Sequence, residues 1–91
     1  MAAPDSDLPV LLTVYGREHC HLCQDMLAAL QELKLKPGYP FKLEVVDVDS
    51  DSDLQSRYGQ RVPVLMAGSR EICHYHLDLN ALARIFERIE K

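Results

Sequence analysis

The chain reads as an α/β protein of element order β-α-β-α-β-β-α, and three observations predict this. A continuous apolar run, Val10 to Tyr15, feeds a short polar turn and then a segment with helical spacing. Strand-like and helix-like patterns go on alternating after it. Near the end, Gly68-Ser69 joins two strand-like runs as a two-residue hairpin. With 91 residues and 47% apolar content, one domain with one core is expected.

Residues 1–8 are small, acidic and proline-punctuated, so they are read as a loose tail, with residues 9–91 forming the domain. Pro9 to Tyr15 is nearly all apolar, as a strand covered on both faces would be, and is expected at the centre of the sheet. From His21, Leu22, Cys23, Met26, Leu27, Leu30 and Leu33 recur mostly at three- and four-residue intervals, opposite Gln24, Asp25, Gln31 and Glu32, which marks an amphipathic helix. Lys34 and Lys36 are expected in its last turn, and Pro37-Gly38 stops it. Phe41 to Val46 alternates apolar with charged and suits an edge strand. In the acidic run that follows, Ser50 is read as the cap of a short helix that Leu54 and Tyr58 share and Gly59 closes. A calcium loop starting at Asp47 fails, because its sixth position is Ser52 instead of glycine and its twelfth is Tyr58 instead of glutamate. Val62 to Met66 reads as a strand in which Pro63 must stand at the start or the edge, and Arg70 to His74 as its return. Asp78 caps a last helix with the stripe Leu79, Leu82, Ile85, Phe86 and Ile89.

The chemistry concentrates in Tyr15-Gly16-Arg17-Glu18-His19-Cys20-His21-Leu22-Cys23. Unpaired N–H groups at a helix start carry roughly half a positive charge, which favours thiolate over thiol. Two residues between the cysteines allow their sulfurs to meet across one turn, so this is read as a dithiol redox site. Cys20, nearest the loop, is the expected nucleophile and Cys23 the resolving thiol, with a buried, inert Cys23 as the plain alternative. His21 is a candidate for raising the thiolate fraction of Cys20, or a solvated helix-start residue. Arg17 and Arg61 are candidate receptors for a substrate carboxylate, against the ordinary role of surface arginines. Cys73 is expected on an edge strand as a spare thiol or core filler, and Tyr15 beneath the dithiol.

A net charge of −4, with no cluster of Lys and Arg, excludes a nucleic-acid footprint. No apolar stretch approaches 18 residues and no basic residue precedes the first apolar run, so neither a membrane span nor a signal peptide is expected. Three cysteines, two of them closely spaced, suit a reducing compartment, so the cytoplasm is expected.

Cys20-x-x-Cys23 after a first strand, and Val62-Pro63 before a hairpin and a closing helix, resemble the thioredoxin-fold superfamily. At this size, with Cys20-His21-Leu22-Cys23, the acidic stretch 47–53 and Arg57-Tyr58-Gly59-x-Arg61-Val62-Pro63-Val64, the chain is similar to the short bacterial glutaredoxin-like proteins. The resemblance implies a thioredoxin-like, four-stranded mixed sheet flanked by helices and a cis bond between Val62 and Pro63 facing the sulfurs. It also implies that the Val62 backbone pairs with the chain of a bound substrate. The chain has His21-Leu22 where glutaredoxins usually carry Pro-Tyr, and Cys73 to Asp78 where they carry a glycine pair. The implied activity is thiol-disulfide exchange by a monomer that holds no bound cofactor. Its partner would be a disulfide-containing protein or small thiol, and glutathione is a candidate reductant. Two alternatives stay open: a metal or iron-sulfur site built from His19, Cys20, His21, Cys23, Cys73, His74 and His76, and an interaction domain without turnover.

Overall fold

A computed structural model describes residues 10–89 of the chain. The expected tail, Pro9 and the two last residues lie outside them, as do the side chains of Arg88 and Ile89. The elements are β1 (Val10–Gly16), α1 (His21–Lys34), β2 (Phe41–Asp47), a 3₁₀ turn (Val48–Ser50), α2 (Ser52–Tyr58), β3 (Val64–Ala67), β4 (Arg70–His74) and α3 (Leu79–Ile89). The sheet runs β2-β1-β3-β4. β1 is parallel to β2, from Val10 opposite Phe41 to Gly16 opposite Asp47. It is antiparallel to β3, with Tyr15 opposite Val64. The sheet is therefore mixed, β1 is central, and β2 and β4 form the edges, as the apolar patterns predict.

The core lies on one face. Leu12 and Val14 of β1 meet Met26 and Leu30 of α1, Leu65 of β3 and Leu82 of α3, and all six are essentially inaccessible to water. Fully burying a side chain of this kind stabilises by about 1.5–3 kcal/mol, so this cluster fixes α1 and α3 to the sheet. The opposite face is covered unevenly: Thr13, Val64 and Met66 are buried there. None of the residues of α2 is buried, Tyr15 stacks on Tyr58 with ring centroids 4.4 Å apart, and Leu11 remains 51% exposed.

Several boundaries differ from the sequence reading, each for a local reason. β1 runs one residue further, to Gly16, because its pairing with β2 continues to Asp47. Lys34 ends α1 and Leu35 caps it, so Lys36 falls beyond the last turn. Asp51, not Ser50, caps α2: its carboxylate accepts the Asp53 N–H at 2.9 Å. Ser50 is occupied in the preceding 3₁₀ turn, where its hydroxyl donates to the Asp47 carbonyl and Asp47 itself accepts the Asp49 N–H. β3 starts at Val64, so Val62 and Pro63 precede the ladder. Gly68, at φ +62°, makes the hairpin, and β4 carries a bulge opposite the Leu65–Met66 step. Asp78 does stand at the start of α3, accepting the Ala81 N–H at 3.1 Å.

Candidate functional site at the carboxyl ends of β1 and β2

The two parallel strands end together at Gly16 and Asp47, the end of an α/β sheet where ligands usually bind. The chain leaves β1 through Arg17, Glu18 and His19. His19 adopts φ +61°, a left-handed conformation that histidine tolerates better than most residues, and this turn brings Cys20 to the N-cap of α1. There the Cys20 Sγ accepts the Cys23 backbone N–H at 3.2 Å. A sulfur thus occupies the place where a helix usually puts a serine or aspartate oxygen, and that N–H stabilises negative charge on it.

Cys23 sits one turn further in, 3% exposed, against the end of β1. A Cβ at Gly16 would lie 3.2 Å from the Cys23 Sγ, so the bare backbone of Gly16 is what lets the sulfur settle there. Burial pushes the Cys23 thiol up to about 11; its hydrogen bond with Cys20 adds to this and the Arg17 backbone opposes it. The two sulfurs are therefore unlike, Cys20 half-exposed on the helix cap and Cys23 buried and holding its proton.

That asymmetry has a pH signature. The folded, reduced chain keeps the Cys23 proton after an unfolded chain has released it near the ordinary value of 9.0, so stability present below that pH is lost as pH rises towards about 11. The melting temperature of the reduced protein is expected to fall more steeply between these limits than that of the disulfide form, which has no such proton. Equal slopes would show that Cys23 titrates like a solvated thiol.

Arg17 closes the site from beside β2. Its Nε and one terminal nitrogen reach the two Asp49 oxygens at 3.1 and 3.2 Å, while the other donates to the Gly59 carbonyl at 3.3 Å. The Arg17 guanidinium holds the Asp49 carboxyl below the usual range, and the Gln55 amide supports it. Arg61 pairs with Glu71 and donates to the Arg57 carbonyl, and it stands 5.8 Å from the centre of the Tyr58 ring. Both arginines read as carboxylate receptors are thus already held by carboxylates of this chain. His21 is 85% exposed, and its Nε2 faces Asp25 at 3.4 Å. Cys73 lies on edge strand β4, where burial raises its thiol and the Asp78 backbone opposes that.

On the other side of β1, Val62–Pro63 is cis. Pro63 is fully buried, directly before Val64, which pairs with Tyr15, and its carbonyl accepts the Tyr75 N–H at 2.9 Å. The register thus places the proline turn at the same end of β1 as the cysteines, with Val62 half-buried in front of the ladder. The histidines and cysteines crowded in sequence diverge in space, His21 towards Asp25 and His74 towards Glu71. Among the described residues, no three His, Cys, Asp or Glu side chains gather as metal ligands would, and no helix is long and apolar enough to cross a membrane.

Asp49, Glu71, Gly16 and Asp25 complete the site without having been singled out from the sequence. Gly16, a glycine closing an apolar run before a C-x-x-C, and Asp25, one helical turn after His21, gave local signals. Asp49 lies 32 positions from Arg17 and Glu71 ten from Arg61.

A family model described as Glutaredoxin-like domain (DUF836) matches residues 11–87. Among solved structures, a Nitrosomonas europaea protein studied by solution NMR is 43% identical, with 85% of this chain and 91% of that one covered and a TM-score of 0.75. A protein from X. campestris solved by X-ray is 33% identical over 85% of this chain and 96% of that one, with a TM-score of 0.64. A thioredoxin variant from Halobacterium salinarum is 25% identical, covering 100% and 96%, with a TM-score of 0.58. A search of curated proteins finds no match.

Proposed function

The chain belongs to the glutaredoxin-like domain family and has the thioredoxin-like fold, and from that premise we propose that it is a thiol-disulfide oxidoreductase working through Cys20 and Cys23. The observation that carries this reading is the placement of the Cys20 sulfur: half-exposed, on the cap of α1, accepting the N–H of the very residue that bears the second thiol.

The Cys20 thiolate attacks one sulfur of a substrate disulfide. That S–S bond breaks, a Cys20–substrate disulfide forms, and the released sulfur takes a proton from solvent. Cys23 then gives up its proton and attacks Cys20. The Cys20–Cys23 bond forms, and the second substrate sulfur leaves and is protonated. Two electrons pass from the dithiol to the substrate; the two protons come one from solvent and one by way of the proton that Cys23 gives up. Burial, the main cause that pushes the Cys23 thiol up to about 11 in the reduced chain, makes the loss of its proton part of the second step. During it, the Val62 backbone is free to pair with the substrate chain, since no hydrogen bond ties it to the described residues. The reading places the chain in the reducing cytoplasm as a monomer with no resident cofactor.

A reductase assay with a small neutral disulfide tests it, supplied with glutathione and glutathione reductase in one arm and with thioredoxin reductase in the other. Turnover in at least one arm is expected. No turnover in either, together with slow alkylation of both thiols, would leave an interaction domain.

A further inference from the structure

We infer that the substrate of this dithiol is a cationic polypeptide disulfide, with a basic residue and one bulky apolar side chain next to its reactive cysteine, and not an anionic small thiol. The inference rests on the redox reading above and adds the substrate class to it.

The first support is charge. Segments 16–25, 47–63 and 74–79, which include the first turn of α1 and all of α2, adjoin the strand ends on the side of the sheet where the cysteines stand, because β1, β2 and β4 end, and β3 begins, there. They contain seven carboxylates and three arginines, a balance of −4, which is the formal charge of the whole chain; the remainder is neutral. All three of these cations are already engaged: Arg17 with Asp49, Arg57 with Asp53 and Arg61 with Glu71. An incoming carboxylate finds no arginine there without a resident acid on it. An incoming lysine finds Glu18, Asp47 and Asp51, none of which pairs with a cation among the described residues. Potentials of this kind act chiefly on encounter rate and on rejection of like-charged partners.

The second support is shape. Between the end of β1, α1 and β2 lies a cavity of about 210 Å³. Its apolar lining is Val14, Leu27 and Val45 together with Cys23, and Glu18, Asp47 and Arg17 supply its charged lining, Arg17 being held by Asp49. Pockets for whole small molecules usually run to about 300–1,000 Å³, so this one suits a single large side chain. Val45 is 56% exposed, a valine left on an edge strand beside the reactive end. An apolar residue inserted here would bring its chain beside Glu18 and Asp47, neither of which pairs with a cation among the described residues, and this joins the two requirements in one partner.

The test uses peptide disulfides identical except for Lys or Glu beside the cysteine, and for Leu or Ser in the next position. The full-length reduced protein reacts with each in single turnover, and each rate is divided by the rate of the same peptide with dithiothreitol. The Lys peptide is expected to react about 10-fold faster than the Glu peptide at low salt, and within about twofold in ~1 M salt. Glu18→Lys should shrink that ratio, and Val45→Asp should remove a preference for Leu over Ser. Equal rates, a preference for Glu, or a ratio that salt does not change would overturn the inference. A neutral small disulfide separates the two levels: if it reacts while the peptides are not distinguished, the substrate class is wrong and the dithiol chemistry stands. If it too is inert, the redox reading itself fails.

Discussion

Cys20→Ser is expected to reduce disulfide exchange at least 10³-fold while leaving the melting temperature within a few degrees of the parent. Serine is among the best N-cap residues, and its hydroxyl can accept the Cys23 N–H in place of the Cys20 sulfur. The helix keeps its cap, and only the ability to form a sulfur-sulfur bond is lost. Cys23→Ser is expected to behave differently. Its Cys20 still attacks, but nothing releases the adduct, so the variant should accumulate as a covalent complex with substrate that dithiothreitol dissolves. Intact mass before and after reduction checks both. Activity retained in Cys20→Ser would remove the nucleophile from the proposal, and a Cys23→Ser protein that turns over normally would leave Cys23 as packing.

Leu30→Ala should have the largest effect on stability. Leu30 is fully buried at the middle of α1, within the cluster that joins this helix to β1, β3 and α3. Removing a buried leucine down to alanine costs about 2–5 kcal/mol, depending on how far the surroundings collapse into the space. A domain of this size has about 5–15 kcal/mol in total, so a large part of its margin would go. Denaturant titration, with the slope compared as well as the midpoint, measures the cost. A change below about 1 kcal/mol would mean that α1 is held mainly by something other than this core.

How much of this was legible in advance depends on the range of the interaction concerned. The apolar run from Val10, the helical spacing from Leu22 to Leu33 and the Gly68-Ser69 turn are set by neighbours a few residues apart, and they gave the element order. The pair Cys20 and Cys23 is also local, so the dithiol could be placed on a helix start without coordinates. The cap of α2 moved from Ser50 to Asp51 because an unforeseen 3₁₀ turn occupied Ser50 first, a competition between adjacent capping residues that residue type alone does not decide. The arginines show the larger gap. Arg17 and Arg61 were identifiable as residues near the site, but whether each faces solvent or a carboxylate depends on Asp49 and Glu71, brought in by the fold from other strands and turns. Burial is similarly divided: the apolar spacing put Cys23 on the inner stripe of α1, but its contact with Gly16 requires the strand and helix to be packed.

The cap on α1 has one more implication. The atom that secures the first turn of the helix is the same atom that bonds to a partner in the proposed exchange, so that turn would respond to chemical state in the way a latch responds to a key. It is firmest while Cys20 is ionised and idle, when its sulfur is the best acceptor for the amide of residue 23. It slackens, by up to the ~1 kcal/mol that a helix cap is worth, whenever the sulfur is tied into a covalent adduct, so the segment that a departing partner must clear is loosest at the moment of release.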